Sequence, residues 1–291
     1  MKKFRAEREE YMQIAVTIEE VRKQVRAWKQ EGLTVGLVPT MGYLHEGHTS
    51  LMDAARENDR IVVSIFVNPM QFGPNEDLAS YPRDLKHDVE LCEKHGVDLV
   101  FHPSPEEMYG GEFYSYVDMN VLTQELCGLS RPVHFRGVCT VVTKLFNIVT
   151  PDRAYFGQKD AQQLAVIRRM VKDLNMPLTV VGCPIIREAD GLAKSSRNTY
   201  LTPEERTAAL VLSRSVFLGK EMAEQGEKDC GKITSAMTAL IREEPLAEID
   251  YVKIVDAGTM QQVEEIRGAV LGAVAVRIGT TRLIDNFMTG I

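Results

Sequence analysis

Short apolar runs alternate with amphipathic stretches along the first 186 residues of the chain. The apolar runs are rich in Val, Ile, Leu and Phe, which is typical of strands that are buried on both faces. In the stretches between them, apolar residues recur every three or four positions, the spacing of a helix with one buried face. The pattern predicts strands at residues 33–38, 61–67, 97–101, 154–156 and 178–182. It predicts helices at 17–30, 84–95, 134–149 and 160–174, and one that starts near residue 47.

This order of strands and helices predicts an α/β fold, a Rossmann-like doubly wound parallel sheet with right-handed crossovers. The Thr17 hydroxyl and the Glu20 carboxylate fit a capping box at the start of the first helix. Residues 102–132 are rich in Pro and Gly, and we predict a loop there.

The character of the chain changes near Ile186. A helix start at Thr202, a helix near 231–242 and strands near 249–255 and 270–278 predict a smaller C-terminal α+β unit. We therefore expect two domains, 1–186 and 187–291, the second acting as a lid. Residues 1–11 are polar and precede Met12, an alternative start, so we expect them to be an extension.

Composition excludes several classes of protein. The 291 residues carry a net charge of −7, whereas a protein that coats nucleic acid usually has a basic surplus. No run approaches the roughly 20 apolar residues of a membrane span, so we expect a cytoplasmic protein. The number of cysteines is odd and none form a CxxC pair, which argues against a zinc ribbon or a disulfide framework.

Polar segments follow three of the predicted strands. They are 39–48 (PTMGYLHEGH), 67–73 (VNPMQFG) and 155–163 (YFGQKDAQQ). Ligands of open α/β sheets bind at the carboxyl ends of strands, where helix N-termini supply N–H donors and a positive dipole. A fourth segment, 190–198 (DGLAKSSRN), combines hydroxyl groups and two cations beside a Gly, as a mobile anion clamp would.

The three segments at strand ends also have simpler interpretations. His45 and His48 are three residues apart with Gly47 between them, which fits a zinc-binding HExxH helix poorly but allows a surface pair. Gly47 would let a flat base approach the backbone. Segment 67–73 can be a plain Asn-Pro turn, and 155–163 a solvated helix start.

The run His45-Glu-Gly-His48 resembles the HIGH signature of the nucleotidyltransferase superfamily. Segments 39–48, 67–73, 155–163 and 190–198 together are similar to those of the pantothenate synthetases, also called pantoate–β-alanine ligases. The resemblance is dense from about residue 33 to 201. One departure is Lys194, where these enzymes usually have Met.

The resemblance implies a role for each residue of these segments. Catalysis would involve His45, His48, Lys159, Ser195, Ser196 and Arg197. ATP would be bound by these residues together with Pro39, Thr40, Met41, Gly157, Asp160, Ile186 and Lys194. Pantoate and β-alanine would contact Met41, Asn68, Gln71, Arg131 and Gln163, with His134 a weaker candidate. Asp88 and the segment around it would bind Mg²⁺ or β-alanine.

The activity implied is a two-step ligation without a covalent enzyme intermediate. Pantoate would attack the α-phosphorus of Mg·ATP, and the amine of β-alanine would then attack the pantoyl-adenylate, releasing AMP. A homodimer is also implied. Two alternatives stay open: an adenylyltransferase of the same superfamily, and a non-catalytic nucleotide-binding protein.

Overall fold

The computed structural model describes residues 11–74 and 76–290. Its larger sheet has six parallel strands in the order β1-β4-β3-β2-β5-β6. The strands are β1 (Gln13–Ala15), β2 (Val35–Thr40), β3 (Arg60–Ile65), β4 (Leu99–Phe101), β5 (Arg153–Gly157) and β6 (Thr179–Cys183). The order reverses at β2, between β3 and β5, which is where a doubly wound sheet opens a crevice at its carboxyl edge.

Helices cover both faces of this sheet. They are α1 (Ile18–Gln30), α2 (Glu46–Ala55), α3 (Leu85–Lys94), α6 (His134–Val149) and α7 (Ala161–Asp173), with the short α4 (Pro105–Tyr109) and α5 (Leu126–Ser130) between. Alternate residues of the strands enter two separate cores. Leu37 packs with side chains of α1, α6 and α7, whereas Val38 packs with side chains of α2 and α3. This two-sided burial explains why the strands appear in the sequence as nearly continuous apolar runs.

The second sheet is antiparallel, with the order β7-β8-β9. Its strands are β7 (Ala247–Asp256), β8 (Val270–Ile278) and β9 (Thr281–Thr289), and it is accompanied by α8 (Pro203–Ala208), α9 (Leu210–Glu224) and α10 (Cys230–Arg242). One face packs on α9 and α10. The other face, with Tyr251 and Leu271, joins the core of the larger sheet. The domain boundary near Ile186 stays a prediction.

The predicted α/β fold and the capping box at Thr17 are confirmed, and the predicted helix start at Thr202 also forms a capping box, with Glu205. Three features differ from prediction. The 102–132 loop contains α4 and α5, and strands β1 and β9 were not predicted. Residues 1–10 of the predicted extension lie outside the described residues. Among the helices of the described chain, none is long and apolar enough to cross a membrane.

Candidate active site

A cavity of about 230 Å³ lies at the carboxyl ends of β2, β3 and β5. Its wall contains every candidate that the sequence suggested except Asp88. These are Pro39, Thr40, Met41, His45, His48, Asn68, Gln71, Arg131, His134, Gly157, Lys159, Asp160, Gln163, Ile186, Lys194, Ser195, Ser196 and Arg197. Segments far apart in the chain therefore converge on one site, as the carboxyl-end rule predicts.

The two histidines form the first turn of α2. His45 is the N-cap, its Nδ1 accepts from the Gly47 N–H at 3.1 Å, and His48 Nδ1 accepts from the His45 N–H at 3.3 Å. A neutral imidazole that accepts at Nδ1 carries its proton on Nε2. Each ring thus offers one Nε2–H at a helix N-terminus, where anions are favoured.

A glycine is needed at position 47 to leave room for the His45 ring. This differs from the expectation that Gly47 makes room for a base. A Cβ on Gly47 would lie 2.8 Å from His45 Cε1 and 2.9 Å from His45 Nδ1. The ring therefore occupies the space that a side chain would need. Gly47 of the HEGH run therefore allows the His45 side chain to cap helix α2.

Burial keeps these imidazoles neutral. Desolvation, together with the nearby Lys159 and Lys194 charges, lowers the pKa of His45 to about 4. The pKa of His48 is lowered well below its usual value, again by desolvation and then by His45 and Lys159. Burial also lowers the pKa of His134 to about 4, and His134 Nδ1 donates to the Gln71 carbonyl at 3.0 Å.

We expect the stability of the protein to fall as the pH drops below 6.5. The unfolded chain protonates its histidines near pH 6.5, whereas folded His134 protonates only near 4, so the unfolded state takes up more protons in this window. Once the pH is below 4, His134 alone accounts for a loss of roughly 3 kcal/mol in the free energy of unfolding. Urea unfolding at pH 7 and about pH 5 measures the loss. His134→Gln should show a smaller loss than the unmodified chain, and an equal loss would contradict the assignment.

A glutamine and an asparagine form the floor of the cavity. Asn68 follows β3 and is 1% exposed, and Gln71 is 8% exposed. Asn68 Nδ2 donates to Gln71 Oε1 at 3.1 Å, while Asn68 Oδ1 accepts from the Tyr109 hydroxyl at 2.5 Å. The polar atoms of Asn68 are thus engaged within the protein. Its geometry favours orienting Gln71 rather than contacting a ligand.

Helix α6 holds this floor at Gly137. A Cβ on Gly137 would lie 2.3 Å from the Met70 carbonyl oxygen and 2.6 Å from Gln71 Cα. Asn68 Nδ2 also donates to the Gly137 carbonyl at 3.1 Å. Any side chain at 137 must therefore displace the backbone that carries Gln71.

We expect Gly137→Ala to lower stability by about 1–3 kcal/mol, as overpacking does, and to raise KM for the acid substrate about tenfold. Thermal unfolding and titration of the acid in a pyrophosphate-exchange assay measure the two effects. Gly111→Ala is the matched control, because no atom lies within 4 Å of its added Cβ. Equal behaviour of the two variants would show that the floor does not depend on Gly137.

Three of the cations in the cavity wall are paired with carboxylates. Arg131 pairs with Glu76 at 2.6 Å, and Arg197 pairs with Asp77 at 2.9 Å. Lys194 pairs with Glu46 of α2, so the residue that departs from the usual Met connects the 190–198 loop to the histidine turn. Within the described part of the chain, the Lys159 ammonium has no hydrogen bond or ion pair. Lys159 is therefore the cation most available to a phosphate.

Asp88 lies outside the cavity wall. Its carboxylate accepts from the Tyr43 N–H at 2.8 Å and the Leu44 N–H at 2.6 Å. The turn that it holds has positive φ angles at Gly42 (85°) and Tyr43 (51°). The contacts support a role in fixing this turn before the histidines. The described residues contain no group of three or more potential metal ligands, and the metal-binding role of Asp88 stays a prediction without support from geometry.

Sequence analysis did not identify two residues that line the site, Tyr81 and Asn286. The Tyr81 hydroxyl lies 3.1 Å from Ser196 Oγ, and its ring lies under the Arg197 guanidinium. Asn286 lines a larger adjoining cavity of about 700 Å³, which shares Arg131, Lys159 and Gln163 with the first. No periodicity or spacing connects these residues to the site, because tertiary packing alone brings them there.

The fold and this crevice define the class of protein: a Rossmann-like α/β protein of the nucleotidyltransferase type with a HIGH signature at a helix N-terminus. Comparisons with known proteins agree. The model of the pantoate–β-alanine ligase family matches residues 13–288. The pantothenate synthetase of Ruminiclostridium cellulolyticum is 65% identical over 93% of this chain and 96% of its own. That of Clostridium acetobutylicum is 58% identical over 95% of this chain and 99% of its own.

Solved structures show the same relationship. A pantothenate synthetase of Thermus thermophilus superposes with a TM-score of 0.89 at 46% identity, over 95% of this chain and 99% of the other. The pantoate–β-alanine ligase of Francisella tularensis, complexed with β-γ ATP and β-alanine, gives 0.78 at 33% identity, over 96% and 98%. The chain belongs to the pantoate–β-alanine ligase family and is an AMP-forming ligase.

Proposed function

We propose that the protein condenses (R)-pantoate with β-alanine in this cavity, in two half-reactions and through a pantoyl-adenylate. Family membership supports the overall reaction. The assignment of steps to residues rests on the geometry of the wall. The single observation that carries it is the presence, in the wall of one cavity, of two Nε2–H donors, of Lys159 without an ion-pair partner among the described residues, and of the two glutamines Gln71 and Gln163.

Pantoate lies between Gln71 and Gln163. The amide of Gln71 is held by Asn68 and Met41, since Nε2 donates to the Met41 sulfur at 3.0 Å. Neutral amides orient the pantoate carboxylate and hydroxyls without withdrawing the charge that makes the carboxylate a nucleophile. A bidentate arginine would bind it more tightly and reduce that charge.

The ATP phosphates lie at the N-terminus of α2. His45 and His48 donate through Nε2 and Lys159 contributes a full positive charge. Ser195, Ser196 and Arg197, which line the same cavity, contact the phosphates from loop 190–198. The adenosine lies along Pro39, Thr40, Met41, Gly157, Ile186 and Lys194, which line the same cavity. Catalysis is then positioning plus stabilisation of charge on the phosphorus, with no covalent nucleophile from the protein.

Mg²⁺ fits this site through Asp160 better than through Asp88. Mg²⁺ usually takes one or two carboxylates and the substrate phosphates as ligands. Asp160 is exposed in the cavity wall beside Lys159, and its carboxylate has no hydrogen bond or ion pair among residues 11–74 and 76–290. When bound, Mg²⁺ neutralises phosphate charge.

β-Alanine enters through the larger cavity. That cavity shares Arg131, His134, Lys159 and Gln163 with the first, so a molecule in it can reach the acyl carbon. The support from a relative is the Francisella tularensis ligase, whose structure includes β-alanine. The neutral amine attacks the pantoyl carbonyl, the amide bond forms as the acyl–phosphate bond breaks, AMP leaves with the electron pair of that bond, and the proton of the amine nitrogen passes to water.

Pyrophosphate exchange tests the first half-reaction. Labelled pyrophosphate is incubated with the protein, ATP, Mg²⁺ and pantoate, without β-alanine. We expect label to enter ATP only when pantoate is present, and β-alanine to turn the reaction toward AMP and pantothenate. An adenylyltransferase would leave AMP on its product, and no exchange from folded, ATP-binding protein would rule out the adenylate route.

We also propose that the protein acts as a homodimer. The support is a set of exposed apolar side chains in one region of the chain, namely Tyr114 (80% exposed), Tyr116 (54%), Leu129 (62%) and Val133 (50%). Light scattering after size exclusion is expected to give a mass about twice 32.6 kDa. A mass of one chain at micromolar concentration would contradict the dimer.

The cytoplasm is the compartment that we propose. All five cysteines are free, four of them buried, which fits a reducing environment. Cell fractionation tests this assignment.

A further inference from the structure

Strand β9 carries two adjacent polar residues that are almost completely buried. Asp285 is 2% exposed and Asn286 is 6% exposed. Burial of a carboxylate and an amide is unfavourable unless both find partners. Apart from the Asn286 N–H, which donates to Asp285, the partners of these two side chains lie outside the small sheet, in the two loops that carry Arg197 and Lys159.

The partner of Asp285 is Arg187. Arg187 Nη1 and Nη2 donate to the two carboxylate oxygens at 2.6 and 2.9 Å. Arg187 also donates to the Gly191 carbonyl at 3.0 Å and pairs with Ala193 in an antiparallel bridge. It therefore fixes the base of the loop that carries Lys194, Ser195, Ser196 and Arg197.

The partners of Asn286 are two backbone carbonyls in the other loop. Asn286 Nδ2 donates to the Gln158 carbonyl at 3.0 Å and to the Lys159 carbonyl at 2.8 Å. The backbone N–H of Asn286 donates to Asp285 Oδ1 at 2.7 Å. One continuous chain of hydrogen bonds thus runs from Arg187 through Asp285 and Asn286 to the turn of Lys159.

We propose that Asp285 and Asn286 are positioning residues that couple the two phosphate-binding loops. The inference rests on the proposed function, because it takes Lys159 and Arg197 to bind the phosphates of one ATP molecule. Both cations must reach that molecule together, and β9 sets the distance between their loops. A change in loop 187–197 is transmitted to the Lys159 turn through the Asp285 carboxylate.

Hydrogen exchange tests the coupling without reference to catalysis. Among the described residues, the Asn286 side chain forms hydrogen bonds with the Lys159 turn, and the Asp285 carboxylate forms them with Arg187 of the other loop and with the Asn286 N–H of its own strand. We expect Asn286→Ala to speed exchange about fivefold or more in 187–197, and Asp285→Asn to do the same in 157–160. If each variant loosens only the loop that its side chain contacts, the proposal is overturned.

A control separates coupling from general loss of stability in the small sheet. Asp256→Ala removes a carboxylate that accepts from the Thr259 and Gly258 N–H groups at the far end of β7. It should leave exchange in both loops unchanged. Asn286→Ala keeps the ion pair of Asp285 intact, so it supplies the test even if Asp285→Asn fails to fold.

Kinetics provide the second measurement. Both variants should lower kcat for pantoate-dependent pyrophosphate exchange about 10- to 100-fold and leave KM for pantoate within about twofold, because the glutamines are untouched. A rise in KM for pantoate with unchanged kcat would overturn the positioning role. Coupled loops in a chain that shows no pantoate-dependent exchange would overturn the proposed function while leaving the coupling in place.

Discussion

Lys159→Ala is expected to slow the adenylation half-reaction by about a thousandfold, the largest effect of any single change considered. The Lys159 ammonium is the cation of the described cavity wall that has no carboxylate partner, so its charge is fully available to the phosphates. Removing it costs transition-state stabilisation and, among the described residues, breaks no hydrogen bond or ion pair. Exchange kinetics with saturating ATP measure the loss in kcat.

Because no hydrogen bond or ion pair of the described residues is lost, we expect the fold of Lys159→Ala to be intact. The melting temperature of Lys159→Ala should stay within about 2 °C of the unmodified chain. Lys172→Ala, an exposed lysine at the other end of α7, is the control and should change neither rate nor stability. A thousandfold loss in both variants, or near-normal exchange in Lys159→Ala, would contradict the assignment.

His48→Asn is expected to slow adenylation by about a hundredfold or more. The Asn side chain has a polar atom where Nδ1 lies, so it can still accept from the His45 N–H and preserve the helix start. It has no counterpart of Nε2–H, so the phosphate donor is lost. The expected result is a large fall in kcat with little change in thermal stability.

His48→Gln provides the converse test. Its amide reaches the Nε2 position but leaves the His45 N–H without an acceptor. We expect it to retain more activity than His48→Asn and to be less stable by about 1 kcal/mol, as when a helix cap is removed. The opposite order of activities would show that His48 serves the fold rather than the phosphates.

The sequence predicts the larger sheet well because its strands are buried on both faces. Leu37 and Val38 enter opposite cores, and both must be apolar, so the strand stands out in the pattern. Strand β9, in contrast, is not recognisable as a strand from its apolar pattern. Asp285 and Asn286 interrupt its apolar pattern, and only the loops that they contact explain why polar residues are buried there.

The residues of the site likewise fall into a group that the sequence predicts and a group that it does not. Residues at strand ends, such as His45, Gln71 and Lys159, are predictable because parallel strands bring their carboxyl ends to one edge. Loop 190–198 follows no such rule: its hydroxyl groups and cations suggest an anion clamp, and the family resemblance assigns that clamp to the same site. For Asp88 the sequence alone is misleading. It shows a carboxylate that could bind a metal, but the structure shows that two backbone N–H groups of the turn at Gly42 and Tyr43 donate hydrogen bonds to it.

The ion pairs of the cavity wall affect how ATP arrives. Glu76, Asp77 and Glu46 already neutralise three cations, and the whole chain carries −7. The cleft therefore exerts little long-range attraction on a polyanion, and the association rate of ATP depends only weakly on ionic strength. We expect discrimination to come after encounter, when a phosphate oxygen of ATP replaces the Asp77 carboxylate at Arg197. A small monovalent anion lacks the other contacts of the nucleotide, so we expect ordinary cellular salt to compete poorly for the site.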